Sequence, residues 1–104
     1  MSKNKIRNEL TTLLAISLRH KIGSIVNSTE LYAQKYSKDA EIILNEAKKV
    51  LAKENWNAKD KQEIEAELKS KLTKELESKP FIDNRKFALI DSQVEETLNL
   101  LKLS

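Results

Sequence analysis

Apolar residues recur every third or fourth position along the first third of the chain: Leu10, Leu14, Leu18, Ile22 and Ile25, then Thr29, Tyr32 and Tyr36. At about 100° per residue these positions share one stripe, which predicts an amphipathic helix with that stripe as its core face. The register runs on through Ala40, Ile43, Ala47 and Val50. Two architectures fit. One is a continuous helix from about residue 5 to about 54; the other is a pair of helices, about 5–36 and 39–54, parted by a turn at Ser37 to Asp39, both good cap residues. The turn is favoured because helices average about 11 or 12 residues and one of about fifty is rare.

The stretch KENWNAKDKQE breaks the pattern, and Asn57, with Asp60 three residues on, has the spacing of a reciprocal helix cap. A third helix over about 58–78 then offers only Ile64, Leu68, Leu72 and Leu76 as large apolar positions, beside Ala58 and Ala66. Glu65 with Lys69 and Glu67 with Lys71 sit at the i,i+4 spacing of favourable pairs, so most of this helix is expected to face water. Pro80 ends it and PFIDN connects to a last helix over about 84–103, whose apolar face is Phe87, Leu89 or Ile90, Val94, Leu98 and Leu101. Within it SQVE has capping-box spacing, so Ser92 is expected to restart the helix after a kink near Asp91.

No alternating β-branched run lies between turn dipeptides, and glycine and proline occur once each. The fold class that follows is all-α, a small bundle of three or four helices with a long amino-terminal helix, in a single helical domain spanning 1–104. Its expected core includes Leu18, Ile22, Ile25, Ile43 and Leu98, with Trp56, Phe81 and Phe87 plugging the ends.

Composition narrows the chemistry. The chain has no cysteine and one histidine, so disulfides, thiolate ligands and cysteine nucleophiles are excluded, and no histidine cluster can form. No metal and no cofactor is expected, and the cysteine usage fits a cytoplasmic protein. No apolar run approaches the ~20 residues of a membrane span, and the basic start MSKNKIRNEL is not followed by a signal-like apolar core. There is no glycine-rich phosphate loop and no Ser-His-Asp grouping, so an enzyme is not expected. Asp60, Glu63 and Glu67 lie near one face of the third helix, but the lysines among them make them salt-bridge partners before metal ligands.

Charge is uneven. Residues 1–38 hold Lys3, Lys5, Arg7, Arg19, Lys21, Lys35 and Lys38 against Glu9 and Glu30, while the remainder is net acidic. On the first helix His20 lies about 200° from Leu18, with Gly23 and Asn27, and this outer face also carries Leu13, Ile16 and Leu31. An apolar strip bordered by Arg19, His20 and Asn27 points to a second contact surface. It can meet another helix of the same chain, or a protein partner or second copy docking on Leu13, Ile16, His20, Asn27 and Leu31.

The leading functional reading is therefore a non-enzymatic helical interaction module, an accessory subunit of a larger complex, with complexes that act on nucleic acid among the candidates. The alternative is direct DNA binding, with Lys3, Lys5, Arg7, Arg19 and Lys21 set against phosphates. Those residues scatter around the helix, and no helix-turn-helix stands out.

A third reading starts from His20 and the KIGS that follows it. This stretch of about eight residues resembles the phosphorylated helices of histidine phosphotransfer and dimerisation domains in two-component signalling. The resemblance implies an exposed His20 that carries phosphate, with Arg19 and Lys21 supplying positive charge. The chain departs from that pattern at Lys21, where kinases place an acid, and at Gly23, one position early.

Overall fold

The computed structural model describes residues 2–27, 31 and 33–103. Four α-helices follow one another: α1 (Lys3–Val26), α2 (Ala33–Leu51), α3 (Ala58–Glu77) and α4 (Ile90–Leu100), the last preceded by a 3-10 helix at Asn84–Leu89. No strand occurs among the described residues. The long first helix and the small helical bundle are as the sequence pattern predicts.

α1 is the central element. Its buried large residues, Ile6, Leu10, Leu14, Leu18, Ile22 and Val26, are spaced by four throughout. Each step of four overshoots a helical turn by about 40°, so over five steps the stripe winds about 200° around the helix. One helix can then bury apolar surface against α2 and α3 along its length and against the 3-10 helix at its end. Ile25, expected in the core, falls outside this winding stripe and is exposed, whereas Val26 takes its place. Leu18, Ile22 and Leu98 are buried as expected, and Ile43 is half-buried.

α3 runs parallel to α1. Lys3 pairs with Asp60, Arg7 with Glu63 and Glu67, and Arg19 with Glu75, an ascending series on both helices. Ile64, Leu68, Leu72 and Leu76 are fully buried. Taking each such side chain out of water stabilises by about 1.5–3 kcal/mol, before entropy is set against it. The Asn57 cap forms as its spacing predicts: Asn57 Oδ1 accepts from the Asp60 amide at 2.8 Å, and Asp60 Oδ2 accepts from the Asn57 amide at 3.0 Å.

α2 runs antiparallel to α1 and has no Cα within 8 Å of α3 or α4. The chain reverses between Val26 and Ala33, about ten residues before the expected turn, and Ser37 to Asp39 lie inside α2. Two things relocate the turn. Asn27 is a residue whose side chain competes with helical backbone bonding. Asn27 is also captured by the α3–α4 connection, its Nδ2 donating to the Phe81 carbonyl at 3.4 Å and its Oδ1 accepting from the Asp83 amide at 3.3 Å. Thr29 and Tyr32, placed on the core stripe by the sequence pattern, lie outside the described residues.

The aromatic plugs are corrected in part. Trp56 packs against the core with its Nε1 donating to the Leu51 carbonyl at 2.9 Å, but Phe81 and Phe87 are largely exposed. Lys86 is buried beside Phe87 instead, its ammonium donating to the Lys79 carbonyl at 2.8 Å just past the end of α3. The predicted helix over 84–103 is divided: 3-10 geometry holds to Leu89, α4 starts at Ile90, and the Ser92 hydroxyl donates back to the Leu89 carbonyl instead of capping.

Candidate interaction groove

The α1–α2 contact is built from small residues. Ala33, Ala40 and Ala47 recur at seven-residue spacing on α2, and Ala40 and Ala47 are buried. Opposite them on α1 stand Ser17, whose Oγ donates to the Ala40 carbonyl at 2.7 Å, and Gly23, against whose Cα face Tyr36 lies. Small side chains let the two backbones approach along most of α2. α4 meanwhile packs on α3 through Val94 and Leu98 and approaches α1 over only a short stretch.

α2 and α4 thus stand on two flanks of α1 without meeting, and between them lies an open groove of about 550 Å³. Its floor is Ser17 and Leu18 of α1, its walls Ala40 and Leu44 of α2 and Thr97 and Leu100 of α4. Leu100 is 62% exposed on the rim, the largest exposure of any large apolar side chain within α1 to α4. Charge is confined to the edges, where Lys21 Nζ lies 3.3 Å from Glu96 Oε1 and Glu41 stands on the α2 side. The lining is mostly apolar in area, with its charged side chains Lys21, Glu41 and Glu96 at the edges.

The structure places the residues predicted as a docking strip in different surroundings. Leu13 packs against the core, Asn27 is bonded to the α3–α4 connection, and Leu31 lies alone in the α1–α2 connection at 86% exposure. Ile16 and His20 are half-buried. His20, expected on an exposed face, donates from Nδ1 to the Ile16 carbonyl at 2.8 Å and sets its ring edge-on to Tyr36. α2 covers part of the face that the wheel left open, which is the intrachain alternative for that strip.

The predicted phosphate-binding cations are mostly engaged. Lys3, Arg7, Arg19 and Lys21 pair with acids of α3 and α4, while Lys5 has no ion pair among the described residues. Lys71 of α3 adds to this seam, reaching Thr11 Oγ1 at 2.7 Å, Asn8 Oδ1 at 2.8 Å and Thr12 Oγ1 at 3.0 Å on α1. The acids respond. The Lys3 ammonium and the Asn57 amide hold the Asp60 carboxyl below its usual value. Burial pushes Glu67 up, but hydrogen bonds from Lys71 and Arg7 outweigh it and leave the carboxyl below the usual range. Asp60, Glu63 and Glu67 are therefore salt-bridge partners across the α1–α3 seam, and no metal-binding cluster of His, Asp or Glu occurs among the described residues. No helix among them is long and apolar enough to cross a membrane.

Sequence reasoning overlooked the groove, although one signal was present. Leu100 and Leu101 are adjacent at the end of the last apolar stripe, and about 100° of rotation separates neighbouring helical positions. Leu101 is buried and Leu100 is left outside. No protein-family model, no curated protein and no solved structure matches the chain.

Proposed function

We propose that the protein is a non-enzymatic helical interaction module, which binds a helical surface of another polypeptide across the groove between α2 and α4. The observation that carries this reading is the open seam itself. Three helices line it, and an apolar side chain, Leu100, is left protruding at its edge. A helical surface fits because side chains of three helices line an open, mostly apolar groove, the kind of surface that takes the apolar face of an amphipathic helix. In a larger assembly such a module acts as an accessory subunit.

The two other readings draw less support. Four of the five cations proposed for phosphate contact are paired with acids, so little free positive charge remains along α1. His20 is held by a backbone carbonyl and by Tyr36, while Arg19 and Lys21, the proposed phosphate partners, face Glu75 and Glu96.

The test uses a fluorescein-labelled amphipathic peptide of about 18 residues with leucines at helical spacing, titrated with the protein and followed by anisotropy. Saturable binding is expected, weakened at least tenfold by Leu100→Glu and by Ser37→Trp, which blocks the groove mouth. Equal binding by wild type and both variants would remove the groove from the reading. A labelled duplex at low salt is expected to bind weakly, with a dependence of log K on log salt shallower than the slope of about −3 that three phosphate contacts produce.

A further inference from the structure

We propose that the end of the molecule where α1 and α3 begin and α2 and α4 finish binds the phosphate backbone of single-stranded nucleic acid. This surface is separate from the groove and does not depend on the function proposed for it.

Contacts between distant parts of the chain assemble this end. Lys3 at the start of α1 pairs with Asp60 in the first turn of α3, and its ammonium lies 5.5 Å from the centre of the Trp56 ring. Trp56 in turn donates from Nε1 to the carbonyl of Leu51, the last residue of α2. Leu103, just past α4, shares a surface pocket with Ala58 and Lys61 of the first turn of α3.

Positive charge gathers there. The terminal turns at this end, the connection 52–57 and Lys102 together hold eight lysines against two acids, Glu54 and Asp60. The whole chain has 19 basic residues against 16 acidic ones, so everything outside this end carries more acids than bases. Two helix amino termini and two carboxyl termini meet here, so their dipoles largely cancel and the excess belongs to the side chains. Lys3 is paired with Asp60 and Lys49 with Glu46. Lys5, Lys48, Lys53, Lys59, Lys61 and Lys102 have no ion pair among the described residues, and all but Lys61 are exposed. The unpaired cations that α1 lacks along its length are thus collected at its beginning.

Chemistry and shape choose the polyanion. Among the described residues, Leu100 is the one large exposed apolar side chain near this end, too little for insertion into a bilayer. The Trp56 indole is occupied by Leu51 and Lys3, so the contact is made to phosphates and is tolerant of sequence. The lysines come from α1, α2, the connection, α3 and the residues after α4, and so are distributed around an end 22 Å across. A duplex, stiff over about 150 base pairs, meets one side of such an end, whereas a single strand bends around it and reaches several sides.

Fluorescence anisotropy of a labelled deoxythymidine 20-mer, at sodium chloride from about 20 to 200 mM, provides the test. Saturable binding is expected, with log K falling against log salt at a slope of about −2.8, the value for four phosphate contacts on a single strand. A duplex of the same length is expected to bind at least fivefold more weakly. Lys53→Glu combined with Lys59→Glu is expected to weaken strand binding at least tenfold and to leave the thermal melt unchanged, because both side chains are exposed. Lys35→Glu combined with Lys38→Glu makes the same change of net charge at exposed, unpaired lysines near the start of α2. At about 100 mM salt, where distant charges are screened, that pair should alter the affinity less than threefold.

Failure of the strand to bind at 20 mM salt overturns the inference, as does equal weakening by the two charge-reversed pairs or a duplex that binds as tightly as the strand. Displacement of the strand by phosphatidylserine vesicles at a lower phosphate concentration than unlabelled 20-mer requires also overturns it, and assigns this end to a lipid surface. Ser37→Trp, which blocks the groove mouth, is expected to leave strand binding unchanged, so the groove reading and this one fail separately.

Discussion

α1 is gripped on two sides by different physics. Against α3 it presents large apolar side chains, and the rows flanking them are stitched by Lys3, Arg7, Arg19 and Lys71 to opposing partners. Against α2 it presents Ser17 and Gly23 to alanines, and close backbone approach replaces bulk. The α3 side concentrates hydrophobic stabilisation in a few large residues. The α2 side spreads dispersion over many small contacts, each intolerant of added volume. Because α2 has no Cα within 8 Å of α3 or α4, its contact with α1 is what holds the α2 wall of the groove in place.

The largest effect is expected on the α3 side. Leu68→Ala removes a fully buried side chain and should cost about 2–5 kcal/mol in urea unfolding, through lost transfer energy and the cavity left behind. A loss under about 1 kcal/mol would mean that α3 is not the principal packing partner.

The α2 side should fail in the opposite way, by overfilling. Ala47 is fully buried, so Ala47→Leu forces α1 and α2 apart and is expected to cost about 1–3 kcal/mol. The leucine should also reduce peptide binding in the groove, whereas Leu68→Ala at temperatures where it remains folded should not.

Gly23→Ala sharpens the limit of that rule. A Cβ there would meet Tyr36 Cδ2 at 3.5 Å and Ile82 Cδ1 at 3.7 Å, ordinary contact distances. Replacing this glycine, in the last turn of α1, by alanine without a clash should therefore raise stability, by about 0.5–1 kcal/mol at most. A lower melting temperature would show that α1 and α2 are already at their closest approach there.

The smallest effect concerns the charged seam. Arg7→Gln breaks two partly exposed pairs and should cost about 0.2–1 kcal/mol. Asp60 and Glu67 are held below their ordinary values of 3.8 and 4.5. Their contribution is present above those values and is lost as pH falls through the ordinary carboxylate range and then through the lowered native values. Stability should thus decline below about pH 5, and Arg7→Gln should flatten that decline. An unchanged pH profile in the variant would leave Lys71 and Lys3 as the groups that hold these carboxylates down.

Helix content, the Asn57 cap and the α3 stripe were all legible in the linear pattern, because each depends on residues within four positions of one another. Asn57 needs only Asp60, and Leu68 needs only Ile64 and Leu72 to define a face. The reversal after Val26 was not legible, since Ala40, Ile43 and Ala47 keep register with α1 and the capture of Asn27 involves Phe81 and Asp83, more than fifty residues away. The groove was not legible for the same reason. Its floor, its two walls and the Leu100 rim come from three helices, and whether α2 and α4 meet depends on how each packs against α1. Periodicity assigns a residue to a face of its own helix, while the neighbour which covers that face, or leaves it open, is chosen by the packing of all the helices together.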